Sequence, residues 1–238
     1  MDEFLFLFVA AYVAAAVSGV AGFGGALLLL PVLVETVGID YAVPLLTIVQ
    51  FIGNLSRIGF AYDLVQWKPV GFFLLGALPL SILGALSFVA LPHDWAIRCI
   101  GIAILLFVLL KFWGISVIKA KPWVMIAGGI VTGFLSGMVG SAGPLGAAVF
   151  LSLGLPPAAF IVSESASALA MHSVKLITYY RFIALDSDMW QLAVLMGLAV
   201  ILGTWTARQV IDYIPRKLFE QCVAVLLSGL AVSFIFQP

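Results

Sequence analysis

Charge is scarce in this sequence. Only 9% of its 238 residues are Asp, Glu, Lys or Arg, against roughly 25% in an average soluble domain. So few charges could not cover the surface of a water-soluble chain of this length, and a soluble globular fold is excluded. Neither sign is in excess, with 11 Lys and Arg against 11 Asp and Glu, so no positive field exists to hold nucleic acid, and that class of partner is excluded too. Cysteine is nearly absent. Cys99 and Cys222 stand in apolar runs with no Cys or His at ligand spacing, which leaves no disulfide framework and no zinc site; they read as small core residues. Nothing in the chain demands a metal or cofactor. The opening residues Met1-Asp2-Glu3-Phe4 lack the basic charge of a signal peptide. Although Ala14-Ala15-Ala16 would permit cleavage, the first apolar run is expected to stay as an anchor.

What the chain does contain is hydrocarbon: 64% of its residues are hydrophobic. A spanning helix takes about 20 apolar residues, so the length accommodates roughly eight to ten membrane-crossing or membrane-entering segments. Runs bounded by Gly, Pro or charge place them at 4–21, 26–37, 41–60, 69–91, 95–113, 122–139, 145–154, 158–178, 189–210 and 216–236. Segments 26–37 and 145–154 follow glycine-rich breaks and would rise only about 18 and 15 Å, short of a hydrocarbon layer about 30 Å thick. The expected fold is an all-α polytopic membrane protein with short broken or re-entrant helices.

Loop charge orients it. If each short segment turns back in mid-membrane, one side collects Arg57, Lys68, Lys111, Lys119, Lys121, Arg208, Arg216 and Lys217, and the other Arg98, Lys175 and Arg181. With eight plain spans instead, the basic residues divide seven to four. The positive-inside rule prefers the first arrangement, with both termini outside.

Displacing the chain by 118 residues lays Ser18-Gly19-Val20-Ala21-Gly22-Phe23-Gly24-Gly25 on Ser136-Gly137-Met138-Val139-Gly140-Ser141-Ala142-Gly143, with four identities in eight positions. With small insertions Arg57 falls on Lys175, Gly84 on Gly203, Pro92 on Pro215 and Cys99 on Cys222. Glycine-rich apolar helices resemble one another by composition, but the Pro and Cys pairs keep their spacing far from the glycines. The reading is a duplication, residues 1–118 and 119–238. Five segments per half would make the two copies opposite in membrane sense, the layout in which transporters hold a site between pseudo-symmetric halves.

Gly22, Gly24 and Gly25, then Gly140 and Gly143, precede the short segments. There the backbone can leave helical geometry, and a helix starting at such a break points its positive end and free N–H groups into whatever cavity receives it. Gly129, Gly133 and Gly137, matched by Ala11, Ala15 and Gly19, have the four-residue spacing of close helix packing instead. After each short piece comes a helix with one polar stripe. Thr47, Gln50, Asn54 and Arg57 fall within about 80° of one another, and Glu164, Ser167, His172 and Lys175 within about 140°. Lipid gives such groups no hydrogen bonds, so the stripes should face a cavity or each other. Arg57 and Lys175 would suit a small anion arriving from either side; lying near helix ends, they could equally snorkel to headgroups. Glu164 is either a structural partner for Lys175 or a proton carrier, and His172 is either a packing residue or a second proton-coupling candidate. Trp67, Trp95, Trp113, Trp123 and Trp190 fall at expected helix ends and read as interfacial anchors.

Ser18 to Pro31 (SGVAGFGGALLLLP) and Ser136 to Gly146 (SGMVGSAGPLG), with the duplicated layout and the length, resemble the sulfite exporter TauE/SafE family of bacterial membrane proteins, also described as the 4-toluene sulfonate uptake permease family. The resemblance spans nearly the whole chain. It implies a secondary carrier in the bacterial cytoplasmic membrane, with sulfite, a sulfonate or a related organosulfur anion as cargo. The second glycine stretch departs from the family pattern, since Ser141, Ala142 and Pro144 interrupt it.

The expected function is therefore anion transport, in the direction of export, with no enzymatic chemistry and no cofactor: main-chain N–H groups and the Ser141 hydroxyl would hold the anion, and Arg57 and Lys175 would guide it. The partners are the anion and the lipid bilayer, with a homodimer also admitted. A passive anion channel would differ only in rate and coupling. An intramembrane serine hydrolase using Ser141 and His172 is the rival from another class; the first half carries Phe23 and Asn54 at the corresponding positions.

Overall fold

In a computed structural model of the protein, residues 2–88, 121–139, 143–180, 187–211 and 213–215 are described, with isolated positions beyond. Helix accounts for 91% of them and none lies in a strand. The helices are α1 (Asp2–Ala21), α2 (Gly25–Val37), α3 (Ile39–Ala61), α4 (Trp67–Phe88), α5 (Pro122–Val139), α6 (Gly143–Leu151), α7 (Pro157–Tyr180) and α8 (Ser187–Ile211), with a 3-10 turn at Tyr62–Leu64. The segment expected at 95–113, nearly all of that at 216–236, and Trp95, Cys99, Trp113 and Cys222 lie outside the described residues.

Four stretches are long and apolar enough to cross a membrane: Phe4–Ala21, Tyr41–Leu64, Trp67–Ser87 and Ser187–Ile211. The short pieces are 13 residues in α2 and 9 in α6. α1 stops at Ala21 because Gly22 and Gly24 take φ of 84° and 95°, which side chains resist, and α2 then starts at Gly25 and packs against α1 and α3. Gly25 itself lies so close to α1 that a Cβ there would come within 2.6 Å of Ser18 Oγ.

α4 packs along α5 and α1 along α8, the two most extensive helix contacts. Small residues make both. A Cβ on Gly129, Gly133 or Gly137 would meet the carbonyl oxygen of Phe73, Ala77 or Ser81, while Gly19 abuts Ala207 and Gly203 abuts the backbone of Tyr12. The four-residue stripe is thus backbone laid on backbone, the contact that holds helices together where the surroundings are as apolar as the side chains.

α7 is the helix these pairs enclose. It touches α3, α4, α6 and α1, and residues 161–168 are all buried. At 24 residues it is long enough to span, yet it is not among the four apolar stretches, because Ser163, Glu164, Ser165, Ser167, His172 and Lys175 sit on it. Protein rather than lipid surrounds those groups. A hydrogen bond of 2.9 Å from the Gln66 N–H to Ser163 Oγ ties the turn after α3 to the start of α7. Trp67, Trp123 and Trp190 stand exposed in the first turns of α4, α5 and α8.

Candidate functional site

Arg57 lies four residues before the end of α3, one face below Asn54. Three-residue spacing brings the two side chains together, and Arg57 Nη1 donates to Asn54 Oδ1 at 3.1 Å. Arg57 Nη2 donates to Ser18 Oγ on α1, and Ser18 passes its own proton to the Ala15 carbonyl at 3.3 Å. The third guanidinium nitrogen, Nε, is buried with no partner among the described residues. Two bonds to neighbouring side chains thus hold the cation and leave its Nε–H unused among the described residues.

Arg57 borders a cavity that measures about 440 Å³ when counted out to its open mouth. Around it stand Gly22, Gly24 and Gly25 from the first break, Gln50, Asn54 and Arg57 from α3, Gly143 at the start of α6, and Glu164 and His172 from α7. Thr132 and Ser136 of α5 complete the polar wall. Two further buried atoms on this wall, Thr132 Oγ1 and His172 Nδ1, also lack partners among the described residues. Such groups cost free energy unless something meets them. α2 opens onto the same space: Gly24, Gly25 and Ala26 line it, and no side chain caps that helix N-terminus.

Across the cavity Lys175 Nζ reaches Ser136, at 3.1 Å from Oγ and 3.4 Å from the carbonyl oxygen. Lys175 is 0% exposed and Arg57 7%. Neither snorkels: that reading is corrected, because α1 and α5 supply hydroxyls inside the protein for both cations. The pairing of Glu164 with Lys175 is corrected as well. They are eleven positions apart on one helix, about 16 Å of rise. The charge that acts on Glu164 is Arg57, and its Oε1 lies beside Gly146, 3.4 Å from where a Cβ would be.

The structure thus brings together Gly22, Gly24, Gly25, Gln50, Asn54, Arg57, Gly143, Glu164 and His172. Ser167 is buried away from the cavity with its hydroxyl on the Ser163 carbonyl, and Thr47 spends its hydroxyl on the Val43 carbonyl. Lys175 does not line the cavity and reaches Ser136 of its wall. Gly140 and Ser141 lie outside the described residues. Sequence reasoning passed over Ser18, Thr132 and Ser136. The signal for two of them was present, since Ser18 and Ser136 superpose in the repeat.

Residues 7–234 match the family model described as Sulfite exporter TauE/SafE. No curated protein and no solved structure matches the chain.

Proposed function

Since the chain belongs to the sulfite exporter TauE/SafE family, we propose that it is a secondary carrier for a small sulfur-containing anion, sulfite or an organosulfonate, exporting it across a bacterial cytoplasmic membrane. The family and the long apolar helices make it a multi-pass membrane protein. The observation that carries the rest is the cavity lined by Arg57, Thr132 and His172, whose Nε, Oγ1 and Nδ1 have no partner among the described residues, beside the start of α2, which no side chain caps. Buried cationic and hydroxyl donors suit an oxyanion, which offers several acceptors at once.

The two halves, 1–118 and 119–238, are read as inverted copies around this point. Support comes from equivalent contacts: Arg57 on Ser18 and Lys175 on Ser136, each pair 39 residues apart and the second 118 residues after the first. The pairing of α1 with α8 and of α5 with α4 has the same exchange of partners. Movement of one copy against the other would expose the anion alternately to each side. Glu164 and His172 are the proton-coupling groups. An anion leaving a negative interior is also driven outward by the membrane potential alone. The family's description as an exporter lends no support to hydrolysis by Ser141 and His172.

The test is counterflow in proteoliposomes with sulfite, sulfate, thiosulfate, sulfoacetate and taurine as separate cargoes. One of the sulfur anions should exchange well above empty liposomes, and Gly25→Val with Gly143→Val should abolish that exchange. Undiminished flux in the double variant, or no flux of any of these anions in the unmodified protein, overturns the reading.

A further inference from the structure

A second cavity touches the first through one residue. It is bounded by Phe60 and Ala61 at the end of α3, Ala158 and Ile161 at the start of α7, and Thr204 and Arg208 on α8, and with its mouth measures about 330 Å³. Arg57 lines both cavities and is the only described residue to do so. The elements all contribute from one end of the bundle, where α1, α3 and α8 finish and α7 begins. This is also the end at which α4 and α5 start, next to Lys68 and Lys121.

Among the described residues the wall is apolar apart from Arg57, Arg208 and Thr204. Thr204 is 3% exposed, and its hydroxyl has no partner among the described residues. A helical threonine ordinarily returns its proton to a carbonyl one turn back, as Thr47 and Thr178 do. Thr204 does not, and no other described residue takes the bond.

We infer that this second cavity is an anion vestibule on the basic face of the protein. A small oxyanion or sulfonate meets Arg208 first, is held at the Thr204 hydroxyl against an apolar wall, and passes to Arg57, whose guanidinium borders both compartments. The positive-inside rule makes that face cytoplasmic, where cargo for export would enter. The inference rests on the carrier reading for its direction of flow, but not for the binding of anions.

The two separate experimentally. In a Cys99→Ser, Cys222→Ser background that retains flux, Thr204→Cys is labelled with a methanethiosulfonate carrying a sulfonate and, in parallel, with one carrying a trimethylammonium group. The anionic reagent should react several-fold faster, sulfoacetate should slow it, and Arg208→Gln should remove the preference. Absence of labelling, or faster reaction of the cationic reagent, overturns the vestibule whatever the flux assay gives. Thr204→Val supplies the second readout: a several-fold rise in KM for flux with folding unchanged by size exclusion. An unchanged KM counts against the vestibule, while absence of flux in the unmodified protein counts against the carrier reading alone.

Discussion

Lys175 Nζ lies 3.1 Å from Ser136 Oγ, and the position 118 residues before Lys175 holds Arg57, hydrogen-bonded to Ser18. Each cation thus stands in the last part of its helix, α3 or α7, and is hydrogen-bonded to a serine of α1 or α5. The cations are not equivalent in what they face. Arg57 lines the cavity and has a nitrogen without a partner among the described residues, whereas Lys175 stands behind Ser136 and does not line it. In the proposed site Arg57 is the ligand and Lys175 the support.

A double-mutant cycle checks the support. Ser136→Ala and Lys175→Met, measured singly and together by thermal unfolding in detergent, should couple by about 1–2 kcal/mol, as contacting buried polar groups do. Ser136→Ala and Arg57→Gln should combine additively. Zero coupling in the first pair would show that the bond carries no weight.

Arg57→Gln should weaken equilibrium binding of the transported anion about 10- to 100-fold, the loss expected for hydrogen bonds to a charged group worth roughly 1.5–3 kcal/mol. Arg57→Lys should restore only part of it, because a single ammonium cannot hold Asn54 and Ser18 and still reach the anion. Full affinity in Arg57→Lys would contradict the three-way role given to the guanidinium.

Glu164→Gln should leave counterflow of the anion intact and abolish the response of net flux to an imposed proton gradient. The carboxyl lines the cavity and acts on Arg57, so loss or gain of its proton changes the local charge that the anion meets. A variant whose net flux follows the gradient as before removes Glu164 from coupling and leaves His172 as the candidate.

Glycines with different surroundings should behave differently. Gly24 has φ of 95° with nothing within 4 Å of a Cβ, so Gly24→Ala should cost about 1–2 kcal/mol of conformational strain alone. Gly133→Leu drives a side chain into the Ala77 backbone and should cost more, part of the 1–3 kcal/mol or above typical of overpacking. Gly59→Ala meets nothing within 4 Å inside α3 and should be neutral or stabilising by up to about 1 kcal/mol. Thermal unfolding in detergent ranks the three.

The helices were legible because apolar runs and glycine or proline boundaries are local signals. α5 occupies the expected 122–139, and α3 and α7 each extend the expected range by only one to two residues at each end. The polar stripe on α3 was legible for the same reason, since Asn54 and Arg57 need only helical spacing to meet. The fate of the buried cations was not. A basic residue near a helix end looks the same in sequence whether it reaches headgroups or a neighbouring helix, and the difference at Lys175 is made by Ser136, 39 positions away. Thr132 and Thr204 were silent too, because a hydroxyl in an apolar run usually bonds its own helix, and only tertiary contacts reveal that these two do not.

The enclosure of α7 has a consequence for how the chain is made. A segment bearing Glu164, His172 and Lys175 faces insertion costs of about 2.5–3.5 kcal/mol for a charged residue near the centre of a span, and only its fit against α3 and α4 offsets them. During synthesis those partners must therefore already be in the bilayer when α7 leaves the translocon, so that it enters against protein rather than alone into lipid.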